Sequence, residues 1–98
     1  MTQDTATIIT EKKIDTASAQ KLGAELNRLI EEGARSLVID MHDTIYICSM
    51  CLRAFLAAQK SLKAKKGTMV LCHVSAQVME VFDVTGFSGL LTFEDSES

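Results

Sequence analysis

Short apolar runs of strand length alternate along this chain with longer stretches whose apolar residues recur every three or four positions. Residues Thr5 to Thr10 are short and β-branched, the pattern of a strand. Leu22, Leu26, Leu29 and Ile30 then keep the period of an amphipathic helix, with Lys21, Glu25, Arg28 and Glu32 on its wet side. Asp15 or Thr16 offers the N-cap, and Gly33 closes the helix. Ser36 to Met41 is a continuous apolar run, which predicts a central strand buried on both faces. His42 to Thr44 breaks it, and Ile45 to Ile47 briefly resumes extended character. A second helical pattern starts near Met50 and runs through Leu52, Phe55, Leu56, Gln59 and Leu62. Lys60, Lys63, Lys65 and Lys66 crowd its C-terminal end, where cations suit the helix dipole, and Gly67 stops it. Thr68 to His73 reads as another buried strand. Ser75 caps a short helix that carries Val78, Val81 and Phe82 on one face and ends at Gly86. Leu90 to Phe93 fits a last strand or a helix start, and the acidic tail Glu94 to Ser98 is expected to fray. The order β-α-β-α-β-α predicts an α/β fold with helices packed against a mostly parallel sheet.

At 98 residues the chain is expected to form one domain over residues 1–98, large enough to bury a core without staples. A net charge of -3 argues against binding nucleic acid, because phosphate contacts need a basic face, and equally against docking on anionic lipid. No apolar run approaches the roughly 20 residues of a membrane span. The N-terminal residues Met1 to Thr7 have neither the basic nor the apolar region of a secretory signal. Cys48, Cys51 and Cys72 are an odd number in a chain that needs no disulfide framework, so they read as reduced thiols in a cytoplasmic protein.

Leu37 to Asp40, a short loop, and then Tyr46 to Leu56 resemble the signature of STAS domains, as does the continuation Lys60 to Leu71 with Gly67 before the next strand. Val78 to Phe87 looks like the third helix of that family, and Lys13 to Ala19 resembles the segment before its first helix. The resemblance extends from about Ile8 to Phe93; it rests on the order and spacing of pieces that are individually unspecific. It implies a STAS-type fold, a small mostly parallel sheet with helices packed chiefly on one face. It also implies the work of an anti-sigma-factor antagonist: a domain that binds a serine-kinase/anti-sigma partner and is switched by phosphorylation, with a PP2C-type phosphatase as a further partner. Aligned on Leu52, the family's Asp-Ser-Ser-Gly falls on Cys48, Ser49, Met50 and Cys51, so its phosphorylated serine corresponds to Ser49. The other three positions depart from the family pattern.

Ser49 therefore has two readings, a helix cap and a phosphosite. On the phosphosite reading the partner surface comprises Asp15, Tyr46, Cys48, Met50, Cys51 and Arg53, with Met50 presented to the partner as an exposed soft side chain. Asp15 also serves as the N-cap of the first helix. Cys48 and Cys51 form a CxxC at a strand-helix junction, where thiol pKa values are commonly depressed, so a redox sensor or small thiol oxidoreductase is the enzyme alternative. Two thiols are too few for a structural zinc site, which would have to recruit Cys72 and His73 or His42 as further ligands, and the bland reading makes the pair small fillers. A third alternative is a STAS subunit that only scaffolds a larger complex. Cys72 reads as a buried strand residue, His42 and His73 as partly exposed strand-end residues, and Asp40 and Asp43 as loop-forming groups. The sequence contains neither GxxxxGK[ST] nor GxGxxG, so the expectation is a non-enzymatic binding module with no cofactor and no metal, ATP being bound by its partner.

Overall fold

The computed structural model describes residues 4–94. In chain order they form β1 (Thr5–Ile9), β2 (Lys13–Ile14), α1 (Thr16–Glu31), β3 (Ser36–Asp40), β4 (Tyr46–Ile47), α2 (Ser49–Ala64), β5 (Thr68–Cys72), α3 (Ala76–Thr85), a 3-10 turn (Phe87–Gly89) and β6 (Thr92–Glu94). The open choice at Leu90 to Phe93 resolves as a turn at Leu90 and Leu91 followed by a strand from Thr92. Of the expected frayed tail, Glu94 is instead paired in β6, and 95–98 lie outside the described residues, as do 1–3 of the N-terminal segment.

Local chemistry accounts for the helix ends. Asp15 has extended backbone and its carboxylate accepts the Ser18 N–H at 3.0 Å, which satisfies one of the free donors of α1. Ser75 does the same for α3 by accepting from Val78 N–H at 3.2 Å. Gly33 and Gly86 take the left-handed backbone that follows a helix, φ +112° and +84°. Gly67 follows the end of α2, as expected. The left-handed residue there is Lys66, φ +62°, and Gly67 is needed because the residue leading into β3 passes so close that a Cβ would sit 2.4 Å from Arg35 O.

Strands β1, β3, β5 and β6 form one parallel sheet in the order β1-β3-β5-β6, while β2 and β4 form a separate parallel pair. The register lays out two faces. Ala6, Leu37 and Met69 make one row, and Ile8, Ile39, Leu71 and Phe93 the next, all within or against the core that also holds Leu26, Ile30, Phe55, Leu62, Val78 and Phe82. The ring of Phe82 on α3 meets Phe93 edge-on at 5.0 Å. The opposite face carries Thr7, Val38, Val70 and Thr92, none of them buried. The expectation that β3 is buried on both faces is thus corrected: alternate residues are buried, because the helices cover one face only. On the open face the last row consists of Ile9, Asp40, Cys72 and Glu94.

Candidate switch site

Two short strands bring the candidate residues together. Lys13 pairs with Tyr46 and Ile14 with Ile47, and the ladder is continued by Ile45 N–H donating to Lys12 O at 2.8 Å and Cys48 N–H to Ile14 O at 3.1 Å. Helices α1 and α2 begin directly beyond this ladder, so Asp15 and the Cys48–Ser49 junction are neighbours and two positive helix ends lie side by side. The loops feeding the ladder are tied by buried hydroxyls. Thr44 Oγ1 donates to Glu11 O at 2.6 Å and bonds Thr10 Oγ1, and both threonines are buried. Satisfied in this way, the hydroxyls cost little to bury and fix the spacing of the two loops.

Ser49 is exposed and is the first residue of α2. The N-cap position belongs to Cys48, whose side chain makes no capping bond, so the reading of Ser49 as the cap is corrected. Arg53 is exposed one turn further along and shares a helix face with Ser49. Tyr46, 51% exposed, and the exposed Asp15 lie on and just beyond the same ladder. Hydrogen bonding from Ser18 holds the Asp15 carboxyl below its ordinary value.

Three expectations at this junction change. Met50 is only partly accessible and packs against the core, so it is not the exposed soft side chain foreseen. Cys51 is fully buried and cannot be touched by a partner. The depressed thiol pKa expected at a helix N-terminus also fails for Cys51: burial, with a smaller contribution from Cys48, pushes it up to about 12. Cys48 is half-buried, and all three cysteines are free thiols. The position of Cys51 was readable in the sequence, because Cys51, Phe55, Ala58 and Leu62 form one core-facing stripe of α2.

A second cluster joins residues that the sequence reading kept apart, with Asp40 as a loop-forming group and Cys72, His73 and His42 only as possible further ligands to the CxxC. Asp40 Oδ1 accepts from His42 Nδ1 at 2.9 Å, His73 Nδ1 at 3.0 Å and the His42 backbone N–H at 3.1 Å. Burial opposes ionisation of Asp40, but these hydrogen bonds outweigh it and bring its pKa below the ordinary carboxyl value. His42 is raised by its bond to Asp40 and by the charges of Asp43 and Asp40. Cys72 is buried beside Asp40, and burial together with the carboxylates of Asp40 and Glu94 pushes its thiol up. Asp40 and Cys72 each end a five-residue strand, which is the only trace of their pairing that the sequence carries.

The STAS domain family model matches residues 2–98. BtrV of Bordetella bronchiseptica, whose name assigns it to the anti-sigma factor antagonists, is 35% identical over 83 residues, covering 85% of this chain and 72% of that protein. The anti-sigma-B factor antagonist of Bacillus subtilis is 33% identical over 79 residues, 81% of this chain and 72% of the relative. The structure of the anti-sigma factor antagonist SpoIIAA in its unphosphorylated form superposes with a TM-score of 0.85 at 19% identity, covering 100% of this chain and 85% of that one. The phosphorylated form of the Bacillus SpoIIAA gives 0.78 at the same identity, over 99% and 86%. At that identity the two structures speak for the fold: a SpoIIAA-like, mostly parallel sheet with three helices. With the family signature spanning nearly all of its length and relatives of this kind, the chain belongs to the STAS domain family, among the anti-sigma factor antagonists.

Proposed function

We propose that this chain is a partner-switching regulator that binds a serine-kinase/anti-sigma protein when Ser49 is unmodified and releases it when Ser49 is phosphorylated. The observation that carries the reading is the exposure of Ser49 at the first turn of α2, beside the Asp15 turn and on one face with Arg53. A phosphate there adds roughly -1.5 to -2 charges. Two helix N-termini and Arg53 stabilise such a group locally, so the modified domain stays folded. Across an interface the same charge faces the partner surface that formerly packed on a neutral hydroxyl, and the Asp15 carboxylate adds to the negative potential. Binding weakens while the fold is kept, which is the behaviour a switch requires. The contact surface consists of Asp15, Tyr46, Ser49 and Arg53, with Cys48 and Met50 at its half-buried margin. The chain acts by binding, not by catalysis; a PP2C-type phosphatase would restore the unmodified state, and both partners place the reaction in the cytoplasm. The thiol-oxidoreductase alternative has little support, since Cys51 is buried and its thiol stays protonated.

The test is to incubate the chain with its cognate serine kinase and ATP, locate the phosphate by fragmentation, and measure binding by calorimetry. We expect one phosphate on Ser49, none on Ser49→Ala, and an affinity at least ~10-fold weaker for the phosphoform and for Ser49→Asp. A stoichiometric complex indifferent to Ser49→Asp would refute the switch and leave a scaffold subunit.

A further inference from the structure

Among the described residues, Asp40, Cys72 and His73 are a group of mixed donor chemistry that the switch does not use. We propose that these three side chains bind a divalent transition-metal ion of the zinc class, with His42 as a positioning residue that holds Asp40. The group is built by the sheet. Asp40 and Cys72 are register partners at the ends of β3 and β5, and Met41 N–H donates to Cys72 O at 3.0 Å, which locks the two strand ends. His73 follows with φ +57°, a left-handed backbone uncommon outside glycine, and its ring turns back onto Asp40. The carboxylate oxygen, the thiol sulfur and a ring nitrogen all lie within 4.8 Å of one another.

Tetrahedral zinc with Zn–S near 2.3 Å and Zn–N near 2.0 Å spaces its ligands by roughly 3.3–3.7 Å. Closing the group around an ion thus needs a contraction of at most about 1.5 Å. The residue that must move most freely, His73, is 48% exposed, whereas Cys72 sits on the rigid strand. The donor set selects the ion. Calcium and magnesium take oxygen ligands, while a thiolate with an imidazole and a carboxylate suits zinc. The S–H bond of Cys72 breaks as the sulfur–metal bond forms, and its proton leaves to solvent; thiolate and carboxylate then balance the two positive charges. Three protein ligands leave the fourth position to water on the open face of the sheet. His42, whose Nδ1 is 2.9 Å from Asp40 Oδ1, orients the carboxylate as outer hydrogen-bond partners of metal ligands do.

Cobalt(II) titrated into the reduced 98-residue chain tests the site. The expected result is a 1:1 complex with a near-ultraviolet thiolate-to-cobalt charge-transfer band and the strong visible bands of a four-coordinate ion, both displaced by zinc(II). Cys72→Ser abolishes the charge-transfer band, and His73→Asn, which keeps a residue tolerant of left-handed backbone, weakens binding at least ~10-fold. Cys48→Ser leaves the spectrum intact. His42→Ala lowers affinity by roughly 10–100-fold with an unchanged spectrum, because the ligand set is the same. Circular dichroism confirms that each variant is folded; should Cys72→Ser not fold, His73→Asn at the surface decides alone. Absence of the charge-transfer band in the wild-type chain, or a band that follows Cys48 instead of Cys72, overturns the proposal.

Discussion

Replacing Gly67 with alanine should destabilise the domain, whereas the same replacement at Gly23 should stabilise it. At Gly67 the new Cβ would lie 2.4 Å from Arg35 O, 3.1 Å from Arg35 C and 2.9 Å from Leu62 Cδ2. The leucine methyl can rotate away, but the backbone of Arg35 cannot. Its carbonyl accepts the Thr68 N–H at 2.8 Å, the bond that starts the β3–β5 ladder. Relief needs the two segments to part by about 1 Å, an overpacking cost of ~1–3 kcal/mol, and it loosens a hydrogen bond worth ~1 kcal/mol. Against this stands a gain of ~0.4–1 kcal/mol from the stiffer unfolded chain. The net loss is about 1–3.5 kcal/mol, which at a urea m-value near 1.5 kcal/mol/M lowers the midpoint by about 0.7–2.4 M. Gly23 lies inside α1, and a Cβ there would meet Ala54 Cβ at 3.6 Å, an ordinary contact. Only the helix-propensity gain of ~0.5–1 kcal/mol remains, so its midpoint should rise by about 0.5 M. Urea unfolding followed by circular dichroism reads both variants. A Gly67→Ala midpoint equal to or above the wild-type value would refute the close-approach argument.

Thr44→Val removes the hydroxyl that ties the two loops and leaves Glu11 O without its donor, so stability should fall by ~1–3 kcal/mol in the same assay; a loss under ~0.5 kcal/mol would mean that the tie is incidental. Native-state alkylation near pH 8 should label Cys48 well before Cys51, because Cys51 is both buried and protonated. Equal rates, or a Cys48–Cys51 disulfide formed readily by mild oxidant, would revive the redox alternative. Asp15 has a folded-state pKa below its ordinary 3.8, so its contribution is fully present above that value and is lost as pH falls through the folded pKa. Asp15→Asn keeps a capping side chain without the titration. The stability difference between wild type and this variant should therefore be constant from about pH 7 to 5 and change below about pH 4, and a difference independent of pH down to ~2 would contradict the assigned cause.

What could be read from the chain was whatever depends on near neighbours. The stripe Leu26–Ile30, the caps Asp15 and Ser75, and the runs Ser36–Met41 and Thr68–His73 fix α1, α3, β3 and β5, because periodicity and capping act within a few residues. Cys51 belongs here too, since its place in the stripe of α2 already implied burial. The junction at Ser49 was found through a family signature, which is again an ordered local pattern.

Other features were decided by the tertiary structure. The two-residue strands β2 and β4 are too short to carry a pattern, and only their pairing brings Asp15 beside Ser49. Continuous apolar runs cannot say whether one or both faces of a sheet are covered; that depends on where the helices pack, and here it leaves Val38 and Val70 on the open side. The juxtaposition of Asp40 with Cys72 and His73 follows from a strand register, and a slip of one residue would turn these side chains to opposite faces. Periodicity determines which face of each element is apolar; contacts between residues 32 or 33 positions apart are set only when those faces are packed together.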